Sequence, residues 1–209
     1  GAAFTGLLDA RLTLKGDGAK TSVDSETSLA GFSVQTSQRQ AGPRIDLTLS
    51  QKGAWDAETK RLEISTLKVG TGTGGPLTLS VTGSVQDPER LGEPDLTGTM
   101  QADLARLQTV LAGYFSDLPA LDCRGRLEGS FRAQGSRLEA RAALSDARFS
   151  GGPFGAPIEI PQGALAADAD RLSDDHGTRV LIRSFKASLP FLSATVSEGL
   201  VEIPAQGPG

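Results

Sequence analysis

Phe4-Thr5-Gly6-Leu7-Leu8-Asp9-Ala10-Arg11-Leu12-Thr13-Leu14-Lys15 decides the class of this chain. Its even positions hold Phe4, Gly6, Leu8, Ala10, Leu12 and Leu14, and its odd positions include Asp9, Arg11, Thr13 and Lys15. A period of two marks a strand with one apolar and one watered face. The pattern returns in Ile45-Asp46-Leu47-Thr48-Leu49, Leu62-Glu63-Ile64, Leu77-Thr78-Leu79-Ser80-Val81, Leu127 to Phe131, Ile158-Glu159-Ile160 and Val180 to Arg183. Turn residues separate the runs, as in Gly16-Asp17-Gly18, Gly70 to Pro76, Asp87-Pro88 and Gly151 to Pro153. Strands are expected near 4–15, 20–36, 44–57, 61–70 and 76–86, then near 122–134, 137–149, 157–170, 178–188 and 192–203. A further extended stretch covers 94–101.

One segment breaks the period. Leu104, Leu107, Leu111 and Phe115 recur at three- and four-residue steps, with Asp103 ahead of them as an N-cap. The spacing predicts a short amphipathic helix over 103–115, packed as a plug or lid on the sheet.

The chain repeats itself. Gly6 to Gly16 aligns with Gly125 to Gly135, and Arg61 to Val69 aligns with Arg179 to Ala187, at offsets of 119 and 118. Two units are therefore expected: 1–118, ending in the linker helix 103–115, and 119–209, with one continuous sheet as the variant of that division.

Composition excludes several function classes. With 21 basic and 25 acidic residues the net charge is −4, so no basic field exists to hold nucleic acid. No apolar run is long enough to span a membrane as a helix, and no leader pattern opens the chain. The ends, Gly1-Ala2-Ala3 and Gly207-Pro208-Gly209, read as those of a fragment of a longer protein. An outer-membrane barrel needs aromatic girdles, and one Trp and one Tyr do not supply them.

No constellation for chemistry stands out. His176 is the only histidine and sits beside Asp174-Asp175 in a turn, which reads as a solvated loop rather than a metal site or catalytic triad. Gly70-Thr71-Gly72-Thr73-Gly74-Gly75 lacks the Lys of a phosphate loop, and a strand rather than a helix follows it. Cys123 is the only cysteine; Arg124 beside it could lower its pKa, but a small residue in a strand is the plainer reading. The chain is thus expected to be no enzyme, with no cofactor and no metal.

Long antiparallel strands must hide their apolar face, by closing into a barrel, by stacking, or by bending into a groove around something apolar. The faces are smooth and weakly aromatic, with Leu, Val, Ile and Ala predominating and no polar residues grouped among them, as acyl chains would require. A groove would be lined by Leu8, Leu12, Leu14, Ile45, Leu47, Leu49, Ile64, Leu77, Leu79 and Val81 in the first unit. Leu127, Phe131, Leu144, Ile158, Ile160 and Ile182 would line it in the second. The same residues would serve a closed core.

The order of motifs resembles the AsmA-like proteins of Gram-negative envelopes, with their TamB- and YhdP-type members. The resembling segments are Gly53-Ala54-Trp55, Leu62 to Val69, Leu77 to Val85, Asp95-Leu96-Thr97-Gly98-Thr99, Asp103 to Leu107, Leu127 to Phe131 and Phe149-Ser150-Gly151-Gly152. The resemblance implies an all-β fold: a long, strongly twisted antiparallel sheet curled into an open groove, as two tandem five-stranded units joined by the helix. It implies a periplasmic segment of a bridge-like lipid transfer protein, anchored to the inner membrane by a part outside this chain. Its partner would be a phospholipid or other acyl lipid carried between the two membranes. A unit of about 119 residues is long for that family, and the helix departs from its pattern. The alternative is a ligand-free structural β-repeat of an envelope or cell-surface protein. In either case the free sheet edges call for neighbours, caps or an edge-strand dimer.

Overall fold

The computed structural model describes residues 2–36, 44–72, 75–88, 92–114, 121–151, 154–174 and 177–204. They form eleven strands and one helix. The first six strands are β1 (Ala2–Gly16), β2 (Lys20–Thr36), β3 (Ile45–Asp56), β4 (Arg61–Gly70), β5 (Leu77–Gln86) and β6 (Pro94–Asp103). Helix α1 (Leu104–Tyr114) follows, then β7 (Leu121–Gln134), β8 (Arg137–Gly151), β9 (Phe154–Asp174), β10 (Gly177–Leu189) and β11 (Leu192–Pro204). Every strand pairs antiparallel with its neighbours in sequence, in the order β1 to β11, so the sheet is open and β1 and β11 are its edges.

The strand boundaries read from periodicity agree with these to within a few residues. The stretch expected at 94–101 is a full strand: β6 pairs with β5 from Pro94 to Ala102 and with β7 from Asp95 to Asp103. The pairing therefore draws no boundary between two five-stranded units. The helix is an excursion between two strands that already pair, not the only joint between halves.

Local chemistry sets the turns. Asp17 Oδ1 accepts the Lys20 N–H at 3.0 Å, with Gly18 at φ +96. Asp56 Oδ1 accepts the N–H groups of Glu58 and Thr59 at 3.0 and 3.1 Å. The Thr59 amide in particular holds the Asp56 carboxyl below its ordinary pKa. Gly135 at φ +57 lets β7 and β8 join through Gly135-Ser136.

Asp103 caps α1, its Oδ1 accepting the Arg106 N–H at 3.0 Å. The helix is described as far as Tyr114, and the expected last residue, Phe115, lies outside the described residues. The same holds for His176, Thr73 and Gly74 of the glycine-rich loop, Gly152-Pro153, Gly1 and Gly207 to Gly209. α1 packs on β7 and β6. There it meets a need of the backbone: β6 ends at the Asp103–Arg126 pair, while β7 starts at Leu121. Gln108 Oε1 accepts the Cys123 N–H at 2.7 Å, in place of the strand partner that β6 no longer supplies.

No second layer built from the described residues covers the sheet. Among the described residues, extensive contacts join only sequence-adjacent strands, apart from those of α1. The accessible surface is 14060 Å². A compact chain of 21.7 kDa exposes about 9,200 Å², so this one exposes roughly half as much again. Its buried apolar residues are mostly small, namely Ala102, Ala133, Ala147, Ala169 and Ala187 beside Val81 and Ile160. No large side chain among the described residues is fully enclosed. A barrel or sandwich core would enclose many.

Candidate functional site

Directly paired residues of an antiparallel sheet share a face. Following the register from strand to strand therefore traces rows across the molecule. One row reads Leu14, Val23, Gly53, Ile64, Gly83, Leu96, Ala133, Leu138, Ala169, Ile182 and Gly199, apolar or glycine on all eleven strands. The next reads Leu12, Ser25, Gln51, Leu67, Val81, Gly98, Phe131, Ala140, Ala167, Phe185 and Val196. A third reads Ala10, Thr27, Leu49, Val69, Leu79, Met100, Gly129, Ala142, Leu165, Ala187 and Ala194. A fourth runs Leu8, Leu29 and Leu47, breaks where β4 ends, and resumes as Leu77, Ala102, Leu127, Leu144 and Gly163.

The residues expected to line a groove fall on this one face. Leu8, Leu12, Leu14, Leu47, Leu49, Ile64, Leu77, Leu79, Val81, Leu127, Phe131, Leu144 and Ile182 stand in the four rows. Ile45 lies two residues from Leu47, opposite Phe32. Ile160 pairs with Ala147, and its Cγ2 lies 3.0 Å from where a Cβ on Gly163 would stand. Ile158 is one alternation further along, opposite Phe149.

The face bends. Leu79, Met100, Phe131, Ala142, Leu165 and Phe185, from β5 to β10, line one hollow of about 340 Å³. Six successive strands can line one hollow only if the sheet curves toward that side. Small residues make the room: Gly129, Ala140, Ala142 and Ala167 stand between the larger ones. Phe131 lies over Gly98, where a Cβ would meet its ring at 2.2 Å.

β1 to β3 differ. There the hollow, about 350 Å³, is on the polar side, among Asp9, Arg11, Glu26, Ser28, Thr48 and Ser50. Their apolar face stands open: Leu8, Leu12 and Leu14 are 65%, 63% and 59% exposed. Ser25, Thr27 and Gln51 also place a polar seam in the rows at β2 and β3. An uninterrupted apolar face was expected there; in the structure the second and third rows are continuous only from β4 through β11.

Several lining residues had escaped the sequence pattern. Leu67 is three residues from Ile64, because a bulge at Ser65-Thr66 shifts the phase. Phe185 is displaced from Ile182 in the same way by a bulge at Arg183. Ala140, Ala142, Leu165, Ala167 and Ala169 do alternate, but alanine is a weak apolar signal.

The opposite face is charged. Lys52–Asp24, Arg137–Asp168 and Arg148–Glu159 pair across strands at 3.2, 3.0 and 3.4 Å. Arg183 pairs with Asp170. The first three, on the surface, keep that side wet and add little stability, whereas Asp170 is buried. Cys123 behaves contrary to the suggested activation by Arg124. Burial, and then the Asp122 charge, push its thiol pKa up, while Arg124 pairs with Asp122 at 3.5 Å. No metal-binding cluster is present among the described residues, and none of the described helices is long and apolar enough to cross a membrane. No family model matches the chain, and no curated protein or solved structure matches it.

Proposed function

We propose that the apolar face holds the acyl chains of phospholipids or related lipids, and that the chain is a non-enzymatic segment of a bridge-like lipid transfer protein. The observation that carries this reading is the apolar face left without a second layer, rows deep and strands wide. Water against such a face is costly, at about 25 cal/mol per Å² of apolar surface. Four rows, each two residues apart, cover about 20 Å along the strands. One leaflet's acyl region is about 15 Å deep. An acyl chain laid along the strands thus fits within the rows, with its headgroup at the rim in water.

The resemblance to AsmA-like proteins extends the reading. The segment would work in the periplasm, anchored to the inner membrane by a part outside this chain, and would pass lipid passively toward the outer membrane. The offsets near 119 suit two tandem units of one twisted groove, the second beginning at β7. The continuous rows of β4 to β11 support a track that crosses from one unit to the next without a gap. The second reading is a ligand-free structural module. The exposed apolar face of β1 to β3 favours it locally, because that surface shields nothing.

Native mass spectrometry of the purified chain, then organic extraction, tests the choice. Phospholipid at near-stoichiometric amount is the expected result. A clean apo mass, with no uptake of a fluorescent lipid, would replace lipid transfer with the structural module.

A further inference from the structure

One side chain in the hollow of β5 to β10 can change its polarity by covalent chemistry. Met100 is the only methionine of the chain. It stands in the third row between Leu79 and Gly129, and it lines the hollow with Phe131, Leu165 and Phe185. Gly129 leaves the place beside it without a side chain: a Cβ there would lie 3.5 Å from Met100 Cε and 3.8 Å from Met100 Cβ. Met100 and these neighbours are half-buried, so the thioether is open to what enters the hollow.

The lining gives an oxygen on that sulfur nothing to bond. Ser130 and Arg141 border the hollow, but they pair with each other, and Arg141 with Ala166, in a row of the charged face. The side chains of the apolar rows are Leu, Phe, Ala and Met, none of which donates a hydrogen bond there. A sulfoxide is polar. Water hydrates it in an open hollow, whereas an acyl chain laid over it strips that water and returns no bond. Cys123, the other sulfur, is less apt to react. Burial first and the Asp122 charge second push its thiol pKa up, away from the reactive thiolate.

We propose that Met100 is a redox-sensitive modification site: a hydroperoxide oxidises its thioether to the sulfoxide, and the hollow then releases an apolar chain. The sulfur lone pair takes the outer oxygen of the hydroperoxide as the O–O bond breaks. The hydroperoxide proton passes to the leaving oxygen. The oxidant is thereby reduced to an alcohol, or hydrogen peroxide to water, while the sulfur gives up two electrons. The release step rests on the acyl-chain reading of the face; the modification step does not.

Mild treatment with hydrogen peroxide tests both steps. Peptide mapping should find one added oxygen on Met100. The treated wild type should then take up a fluorescent phospholipid about tenfold more weakly, and a methionine sulfoxide reductase should restore it. Met100→Leu, whatever its own uptake, should read the same before and after peroxide. An unmodified Met100, an oxidised protein with undiminished uptake, or a Met100→Leu protein as sensitive as wild type would each overturn the proposal. If the untreated protein takes up no phospholipid, the lipid reading falls by itself, and the release step is read with the apolar dye Nile red. Weaker dye binding after oxidation would then support the site. Unchanged binding, or none from the start, would overturn it.

Discussion

Strands β1 to β3 and strands β5 to β10 carry the same alternation, yet their hollows lie on opposite faces. In the first region the apolar face holds Leu8, Leu12, Leu14, Leu29, Leu47 and Leu49, with Ser25, Thr27 and Gln51 among them. In the second it mixes Leu79, Met100 and Phe131 with Gly98, Gly129, Ala140, Ala142 and Ala167. Period-two patterning thus decides which side is apolar. It does not decide on which side the hollow falls.

The largest expected effect is on lipid occupancy. Leu79→Asp places a carboxylate in the hollow, against acyl chains that cannot solvate it, and should weaken uptake of a fluorescent phospholipid roughly a hundredfold. Leu12→Asp, on the exposed apolar face of β1, should leave uptake nearly unchanged. Equal losses from both would erase the distinction between the two regions.

Stability should separate them next. A Cβ on Gly83 would stand 2.0 Å from the Asp95 carbonyl oxygen, at φ +132. Gly83→Ala is expected to cost about 1–3 kcal/mol in urea denaturation. Gly16 at the end of β1 has only ordinary contacts, 3.6 Å from Lys20 O. Gly16→Ala should stay within about 0.5 kcal/mol of wild type. If both are neutral, the tight backbone approach at Gly83 does not hold the concave region together.

The smallest effect sharpens the boundary. Gln51→Leu removes the middle of the polar seam, between Ser25 and Leu67 in its row. It should raise lipid uptake about two- to threefold, less than 1 kcal/mol, by linking the leucines of β1 to the rows beyond β3. No change would mean that Gln51 does not limit what the apolar face of β1 to β3 holds.

Much of the fold was legible in the sequence, because long strands separated by Gly, Pro and Asp leave few other readings. Asp103 and the leucine spacing marked α1 for the same reason. The phase shifts were not legible. Bulges at Ser65-Thr66, Arg183 and Gly125 each change the alternation without a distinctive motif. A single uniform alternation therefore missed Leu67 and Phe185. The polar seam was visible in principle: Ser25 and Thr27 share odd positions with Val23 and Leu29. The partner of α1 was not, because the need it meets arises only once β7 outruns β6.

The strictly sequential order of the strands also bears on how the chain folds. Each strand finds its partner in the segment made just before it, so no pairing waits for a distant part of the sequence. Low contact order of this kind favours fast folding, and a nearest-neighbour sheet can grow by accretion from any formed hairpin. Drawn apart by its two ends, such a sheet would come off one strand at a time from either edge, as a zipper does, rather than give way all at once.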